Sequence, residues 1–214
     1  MNGMAIDATT LTAMFSAVAA AVTADRDRLC QLDGVIGDAD HGIAMELGFN
    51  AAHQAVAALD GAAEPTAIFN AAAKSFLNAV GASSGPLYAT AFMRAGAAVK
   101  GKATLSDADF VAAFQAMAQG IRDRGKAEPG EKTMIDAWVP AAEAAGKALA
   151  EGKTAATAID AAAKAAADGA EATKGMVAAK GRSSRLGERS IGHVDPGAAS
   201  AATVIRAMAD SLKG

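Results

Sequence analysis

The chain has 214 residues, of which 52% belong to the hydrophobic set and 20% are charged, with a formal net charge of −3. Its single cysteine, Cys30, excludes a disulfide framework or a thiolate zinc cluster. The aromatic content of 4% is too low for base-stacking platforms, and the acidic balance disfavours a nucleic-acid partner. The apolar run from Met14 to Thr23 is too short to cross a bilayer, so we expect a cytoplasmic protein without a membrane partner.

The residue pattern is helical along nearly the whole chain. Alanine, leucine, methionine, lysine and glutamate are strong helix formers, and no segment shows the alternation of a half-buried strand. Glycine, proline, aspartate and serine mark the boundaries. They predict eight helices, at about 6–31, 42–59, 64–80, 86–100, 106–124, 133–151, 154–180 (with a break suggested near Gly169 or Gly175) and 197–212. No linker or repeat divides the chain, which predicts one all-α domain over residues 1–214.

The connections between the predicted helices are of two kinds. Those after the second, fourth and sixth helices are short and carry little chemistry. In an up-and-down bundle, alternate connections lie at the same end, so the other four are predicted to share one rim. Such crowding is typical of an active site. Their sequences are LDGVIGDADHG (32–42), GASSGP (81–86), RGKAEPGEKT (124–133) and KGRSSRLGERSIGHVDPG (180–197).

The first of these loops places three carboxylates within eight residues, at Asp33, Asp38 and Asp40. Hard oxygen donors without a thiolate suit Mg²⁺ or Ca²⁺. The loop lacks the glycine and glutamate spacing of a calcium EF-hand, whereas Mg²⁺ needs only a few carboxylates beside water and phosphate oxygens. The alternative is a solvated acidic turn, since aspartate and glycine are ordinary turn residues.

The next two loops offer features of a phosphate site. Ser83 and Ser84 precede Pro86, a favoured first helical position, and could bind an anion; a serine N-cap explains the same residues. The third loop nearly matches a P-loop, but one residue separates its second glycine from Lys132 and no strand precedes it. That interpretation is rejected. Met134 and Trp138 after it could offer apolar surface to a ligand or belong to the core.

The fourth loop is predicted to have roughly sixteen residues without regular structure, a length typical of lids. Arg182, Arg185 and Arg189 in it could pair with phosphates, or simply belong to a solvated charged loop. Metal-binding carboxylates, helix starts and mobile arginines at one rim together are what phosphoryl transfer requires. The residues alone therefore predict a site for a Mg²⁺–phosphate ligand such as a nucleotide.

The motifs GDADHG, GASSGPL, RGKAEPGEKTMIDAW and KGRSSRLGERSIGHVDPGA occur in an order that resembles the nucleotide-binding L subunit (DhaL) of dihydroxyacetone kinases, over essentially the whole chain. The resemblance implies an eight-helix antiparallel up-and-down barrel with the nucleotide at one rim. It also implies that Asp33, Asp38 and Asp40 hold two Mg²⁺ ions and, with Arg182, form the catalytic apparatus. The ADP or ATP site would then comprise His41, Gly42, Ile43, Ala44, Ser83, Ser84, Gly125, Met134, Arg182, Asp195, Pro196 and Gly197.

The resemblance further implies a phosphotransferase subunit that acts on an alcohol group only together with its partner. Family members transfer the phosphoryl group to dihydroxyacetone, or a related keto sugar, held covalently by a histidine of a separate K subunit. No nucleophilic role is therefore assigned to His41, His53 or His193. A chain carrying only the L portion favours ADP as a bound coenzyme, rephosphorylated by an M subunit of the phosphoenolpyruvate phosphotransferase system (PTS).

Other functions stay open at this point. The chain could be the subunit of a split keto-sugar kinase that exchanges ATP. It could also hold nucleotide as a regulatory module that signals to a transcription factor. An L-like domain of a fatty-acid kinase fits less well, because such domains usually begin longer chains. A purely structural bundle would leave four functional loops unexplained. One departure from the family pattern is Ser183-Ser184-Arg185, where many members have Ala-Ser-Tyr.

Overall fold

The computed structural model of the protein describes residues 5–81 and 83–213. Over these residues it contains eight α-helices, two 3₁₀ segments and one isolated antiparallel bridge between Ile6 and Leu105. The predicted all-α fold is confirmed. The helices are α1 (Ala8–Ile36), α2 (His41–Ala57), α3 (Pro65–Ala79), α4 (Ser84–Ala98), α5 (Asp107–Gly125), α6 (Ile135–Ala150), α7 (Ala155–Ala172) and α8 (Pro196–Ser211); the 3₁₀ segments are Thr173–Gly175 and Arg182–Ser190.

The eight helices form a closed ring. Each helix packs against its neighbours in sequence, and α8 closes the ring by packing against α1 as well as α7. Successive helices are antiparallel, through short connections everywhere except between α7 and α8, so α2, α4, α6 and α8 all begin at the same end. We call this the site end and the opposite one the far end. Met1–Met4 and Gly214, part of the predicted domain over 1–214, lie outside the described residues.

Two helix ends differ from the sequence prediction by more than two residues. In addition, α4 begins at Ser84, so Pro86 is its third residue and not its first, as predicted. The first helix was predicted to end near residue 31, but α1 continues to Ile36, whose side chain is buried. Asp33 therefore lies in the last turns of a helix and not in a loop. The seventh helix was predicted to reach residue 180, but α7 ends at Ala172 and a single 3₁₀ turn follows it. The fourth loop consequently begins earlier than predicted, and its centre forms 3₁₀ turns with a kink at Gly187.

The core of the ring contains a group of aromatic side chains in edge-to-face contact. Phe49 lies 5.1 Å from Phe76 and 5.2 Å from Tyr88, measured between ring centroids. Gly48 is required beside them, because an added Cβ there would lie 2.4 Å from the Phe76 ring. Trp138 continues the group through Tyr88 and Phe114. Trp138 thus belongs to the core, the second of the two roles that the sequence left open.

Small residues let α6 and α7 approach closely. Ala141 and Ala145 of α6 and Ala158 and Ala162 of α7 are fully buried. At Gly169 the contact is so close that a Cβ would lie 2.0 Å from the carbonyl oxygen of Asp136. This close approach places the start of α6, where the third loop ends, beside the end of α7, where the fourth loop begins.

The helix α1 is long and apolar enough to cross a membrane by length and composition, with a mean hydropathy of 1.2 over its most apolar window. This is weak evidence for a membrane span, because core helices of bundles pass the same test. One face of α1 is buried in the ring by residues such as Leu11, Phe15 and Val22, and this packing accounts for the apolar composition.

Candidate functional site

A cavity of about 430 Å³ opens at the site end, and the starts of α2, α4, α6 and α8 all contribute to its wall. A helix start presents backbone N–H groups that lack partners within the helix, together with the positive end of the helix dipole. Four such starts around one cavity favour a ligand with several anionic groups. The wall comprises Asp33, Asp38, Asp40, His41, Ala44, Ser83, Ser84, Pro86, Leu87, Ile121, Arg124, Gly125, Ala127, Lys132, Thr133, Met134, Ile135, Lys180, Gly181, Arg182, Ser183, Asp195, Pro196 and Gly197.

Three carboxylates meet on one side of this cavity. One ligand oxygen from each of Asp33, Asp38 and Asp40 lies within 4.8 Å of the others. Asp33 is buried, while Asp38 and Asp40 are exposed. Oxygen donors at this separation can share a divalent cation, and carboxylates with phosphate oxygens are the ligand set that Mg²⁺ prefers. The residues present therefore fit a Mg²⁺ site.

The carboxylate of Asp33 has a second task, because it also fixes the turn between α1 and α2. Its Oδ2 accepts hydrogen bonds from the backbone N–H groups of Asp40 at 3.0 Å and His41 at 3.2 Å. A Cβ at Gly37 would lie 2.1 Å from the other oxygen, so the turn requires glycine there. Ala39, with φ 63, occupies the left-handed region. The metal-site carboxylates are thus held by a tightly constrained backbone.

A lid segment, residues 174–192, extends over the same carboxylates from the connection between α7 and α8. Arg182 of this lid forms an ion pair with Asp38. Lys180, Gly181 and Ser183 also line the cavity. The arrangement places a bidentate cation where it can reach anionic groups bound next to the carboxylates.

The His41 side chain is oriented by α8. Its Nε2 lies 2.8 Å from the hydroxyl oxygen of Ser200, and that hydroxyl is 3.0 Å from the carbonyl oxygen of Gly197. Since a carbonyl only accepts, the Ser200 hydroxyl donates to Gly197 and accepts from His41 Nε2–H. Burial lowers the pKa of His41, although the charge of Asp33 opposes this. The imidazole is therefore neutral at pH 7 and links the starts of α2 and α8 without adding positive charge.

Asp195 begins α8 and is almost completely buried. Its Oδ2 accepts a hydrogen bond from the backbone N–H of Ala198 at 2.7 Å, a side-chain N-cap. Burial raises the pKa of Asp195 to about 7; the Ala198 N–H and the charge of Lys132 oppose the shift, and Asp136 adds to it. Near neutral pH this carboxyl group is thus balanced between its two protonation states.

Part of the cavity wall is apolar. Leu87 of α4, Ile121 of α5, and Met134 and Ile135 at the start of α6 lie there, with Ala127 of the intervening loop. Gly125 and Arg124 complete this side. A cavity lined by carboxylates and helix starts together with aliphatic side chains suits a ligand with an apolar part and an anionic tail.

Most of the sequence-predicted site residues meet at this cavity, with two exceptions. Gly42 is buried against α1, where a Cβ would lie 2.1 Å from the carbonyl oxygen of Arg26, and half of the Ile43 side chain is exposed. Neither lines the cavity. Those that do are Asp33, Asp38, Asp40, His41, Ala44, Ser83, Ser84, Gly125, Met134, Arg182, Asp195, Pro196 and Gly197.

Sequence reasoning did not identify several wall residues. Leu87 and Ile121 lie inside helices, where periodicity could have marked them only as core positions. Lys132 was considered only as part of a rejected P-loop, and its ammonium instead donates to backbone carbonyl groups. Of the other lid arginines, Arg185 and Arg189 are exposed and are not part of the wall. Among the histidines only His41 lines the cavity; His53 is half-buried in α2 and His193 is exposed.

Comparison with known proteins agrees with this geometry. Residues 35–210 match the DAK2 domain. The chain is 37% identical over 191 residues to the ADP-binding subunit DhaL of the PEP-dependent dihydroxyacetone kinase of Escherichia coli, a match that covers 88% of this chain and 90% of that one. The chain belongs to the DAK2 domain family. Within this family its similarity extends along nearly the full length of DhaL subunits, including one of Listeria innocua at 39% identity over 187 residues, 87% of this chain and 88% of that one.

Longer kinases of the family match only in part. The chain is 37% identical over 196 residues to L-erythrulose 1-kinase of Mycolicibacterium smegmatis, covering 89% of this chain but 34% of that one. Among solved structures, the dihydroxyacetone kinase of C. freundii in complex with AMP-PNP and Mg²⁺ matches with a TM-score of 0.72 and 26% identity. That alignment covers 94% of this chain and 33% of the kinase, so the chain spans about one third of it. The shared part has the same all-α fold.

Proposed function

We propose that this chain is the nucleotide- and Mg²⁺-binding subunit of a kinase for dihydroxyacetone or a related small keto sugar. The observation that carries the proposal is the meeting of four helix starts, three carboxylates and a lid arginine around one cavity. This arrangement matches the needs of phosphoryl transfer, which depends on positioning and charge neutralisation more than on covalent chemistry. Membership of the DAK2 family, with DhaL subunits as near full-length relatives, supports the same activity.

The apolar and the polar residues of the cavity wall would have different roles in binding. The aliphatic wall formed by Leu87, Ile121 and Met134 would hold the adenine ring by apolar contact. The first N–H groups of α4, which has no side-chain cap, would donate to phosphate oxygens, together with the hydroxyls of Ser83 and Ser84. The nucleotide would then lie with its phosphates beside the carboxylates and under the lid.

Asp33, Asp38 and Asp40 would hold Mg²⁺, two ions in the arrangement that we propose. When bound, the metal neutralises phosphate charge and orients the transferred group. Arg182 is paired with Asp38 in the protein itself, and it would move from that carboxylate to phosphate oxygens when the nucleotide is bound. His41 stays neutral and keeps the starts of α2 and α8 in register. No group of this chain serves as a nucleophile in this scheme.

We further propose that the acceptor sugar is held by a separate K subunit and that ADP stays bound as a coenzyme, rephosphorylated by a PTS-linked M subunit. The support is that relatives matched over most of their length are named ADP-binding subunits of PEP- or PTS-dependent kinases. In this scheme the chain is a cytoplasmic phosphotransferase subunit that is active only with its partner. The alternative is a subunit of an ATP-exchanging keto-sugar kinase, favoured by the 37% identity to L-erythrulose 1-kinase. The regulatory role through a transcription factor has no observation of its own in its favour.

Reconstitution separates these schemes. The chain would be mixed with a K subunit, Mg²⁺ and dihydroxyacetone, and phosphorylated sugar would be measured with two donors. One donor is ATP in excess; the other is PEP with the general PTS proteins and an M subunit. Product from PEP with only stoichiometric nucleotide supports the coenzyme scheme, whereas sustained turnover from ATP alone supports the exchanging kinase. No product with either donor would contradict the proposed activity.

A further inference from the structure

Lys132 is a buried cation whose surroundings are unusual for a loop residue. It lies between α5 and α6 with a φ of 59, in the left-handed region, and only 1% of the residue is exposed. A buried ammonium group is unfavourable unless it is hydrogen-bonded, and a left-handed backbone adds a further cost for a residue other than glycine. Lysine at this position therefore needs a compensating interaction, and the structure provides two.

Both interactions are with backbone carbonyl groups at the base of the lid. The Lys132 ammonium donates to the carbonyl oxygen of Thr173 at 2.6 Å and to that of His193 at 2.5 Å. Thr173 immediately precedes the lid (174–192), and His193 immediately follows it. Thr173 also stands at the end of α7, where the helix dipole favours a positive charge. One side chain thus joins the two ends of a nineteen-residue segment.

Other hydrogen bonds join the same two ends of the lid, so Lys132 is one of several links at the lid's base. The Thr173 hydroxyl accepts from the backbone N–H of Asp195 at 2.9 Å. The N–H of Gly192 donates to the carbonyl oxygen of Lys174 at 2.8 Å. The carbonyl oxygen of Glu131, the residue before Lys132, accepts a hydrogen bond from the N–H of Ala179 at 3.1 Å. The loop before α6 is therefore attached to the lid both at its base and along its first half.

Through these contacts Lys132 affects the positions of two other residues at the cavity, Arg182 and Asp195. The closed base determines where the lid starts, and with it the reach of Arg182 toward Asp38. It also holds the backbone just before Asp195, which caps α8 at the cavity. We infer that Lys132 is a positioning residue that ties together the two ends of the lid and so holds the lid closed over the ligand. The nature of that ligand rests on the proposed function; the closure of the lid does not.

The test compares Lys132→Met, which keeps the length of the side chain but removes its donors, with Lys174→Met as the matched control. Lys174 is exposed and pairs with Glu171, three residues earlier in α7. The first readout needs no ligand: the rate of tryptic cleavage at the lid arginines Arg182, Arg185 and Arg189, set against cleavage elsewhere. Loss of two charge-assisted hydrogen bonds is expected to speed cleavage within the lid about tenfold or more, with little change at other sites. Lys174→Met is expected to match the wild type.

The second readout is the dissociation rate of a fluorescent ADP in Mg²⁺, which should rise about tenfold in Lys132→Met. Rescue distinguishes positioning from general stability. In Lys132→Ala, added propylammonium should restore slow release and lid protection, whereas propanol, of similar size without the charge, should not. If Lys132→Met does not fold, Lys132→Gln, which keeps an amide donor, and Thr173→Val, which removes the neighbouring link, are tested by the same readouts.

Unchanged lid cleavage in folded Lys132→Met would overturn the inference, as would faster cleavage spread evenly over all tryptic sites. Where Lys132→Met does not fold, unchanged cleavage in both Lys132→Gln and Thr173→Val would overturn it. Restoration by propanol as well as by propylammonium would also contradict it, since that result assigns the effect to lost packing. If the wild-type chain binds no ADP while the lid readout behaves as expected, the proposed function fails and the inference about the lid stands.

Discussion

The two ends of the barrel are built from the same eight helices, yet their helix starts are completed differently. At the far end, α1, α5 and α7 each begin with a side-chain N-cap, from Asp7, Ser106 and Thr154, whereas α3 has no side-chain cap and begins with Pro65. At the site end, only the N-cap residue of α8, Asp195, caps its own helix. The starts of α2 and α6 instead have acceptors from outside the helix, Asp33 for the His41 N–H and Thr133 for the Ile135 N–H, and α4 has no side-chain cap. Uncapped N–H groups reduce the stability of a helix but leave donors for a ligand. Three of the four far-end starts are capped by their own N-cap residue, whereas only one of the four at the site end is, and the start of α4 is left for a ligand to complete.

Backbone strain follows the same division. The left-handed positions in the far-end turns include Gly101 and Gly152, where glycine accommodates the conformation easily. In the described residues, the left-handed positions taken by other residues are Ala39, Lys126 and Lys132, all at the site end. Such conformations persist only where the surrounding structure enforces them, and they are concentrated at functional sites. Left-handed residues other than glycine occur at the site end, where most helix starts also lack a cap from their own N-cap residue.

The largest effect is expected from Asp38→Ala. Asp38 lies in the exposed turn before α2, so its loss should leave the helical circular-dichroism signal intact. Removing a metal ligand should weaken Mg²⁺-dependent nucleotide retention by several kcal/mol, more than about a hundredfold. Equilibrium dialysis with and without Mg²⁺ measures this. Asp60→Ala, an aspartate in a far-end turn, is the control; equal retention by both variants would remove Asp38 from the metal site.

Arg182→Ala should lower turnover by about tenfold to a hundredfold, because a charge-assisted contact to phosphate is lost. The side chain is 60% exposed, so the thermal midpoint should change little. Steady-state kinetics in the reconstituted system, together with thermal unfolding, measure the two effects. Arg189→Ala, in the same lid but away from the cavity wall, is the comparison. A parallel fall in turnover and in midpoint would instead indicate a structural role.

Asp195→Asn tests a pH-dependent effect on stability. Burial raises the pKa of Asp195 to about 7 from an ordinary value of 3.8. Between these two pH values the carboxyl group is therefore protonated in the folded state but ionised in the unfolded state. The stability from this group is complete below about pH 4 and is lost as the pH rises through 7. The facing charged groups are Lys132 and Asp136. Asparagine keeps a capping oxygen but cannot ionise.

Relative to the wild type, Asp195→Asn should therefore gain stability steadily from pH 4 to pH 8, by a few kcal/mol over the whole interval. Denaturant unfolding at several pH values measures the difference. A difference that does not vary with pH would show that Asp195 has an ordinary pKa in the folded protein.

The smallest effects test the comparison of the two ends directly. Ser106 forms a capping box with Asp109 at the start of α5, so Ser106→Ala should cost about 1 kcal/mol of unfolding free energy and leave nucleotide affinity unchanged. Ser83 precedes α4 without a capping bond, so Ser83→Ala should change stability by less than about 0.5 kcal/mol but weaken nucleotide binding. The opposite pattern in the two variants would contradict the division of roles between the ends.

Much of this organisation could be predicted from the sequence, because it depends on local signals. Helix propensity and turn residues located all eight helices, and the alternation of antiparallel helices placed the functional loops at one end. The resemblance to DhaL supplied most of the cavity residues. The end of α1 was missed because Asp33 and Gly34 suggest a turn, while the burial of Ile36 that extends the helix is a tertiary effect.

The remaining features depend on partners that are distant in sequence. The alanine-rich run up to Ala172 favours a helix that continues beyond it, but Thr173 is held by Asp195, 22 residues later. Lys132 binds carbonyl groups 41 and 61 residues away, and no local pattern indicates a buried ammonium with a left-handed backbone. Gly42 and Ile43 were included through the resemblance, but they lie outside the cavity wall, since one packs on α1 and the other faces outward.

The central claim is that the site end holds a nucleotide through a metal. The most direct measurement is to denature the purified protein and quantify released nucleotide and Mg²⁺, after dialysis with and without EDTA. The account predicts near-stoichiometric ADP that survives ordinary dialysis and is lost with EDTA, or, for an exchanging kinase, reversible Mg²⁺-dependent binding of added ATP. A folded protein that binds neither nucleotide nor Mg²⁺ under any of these conditions would contradict it.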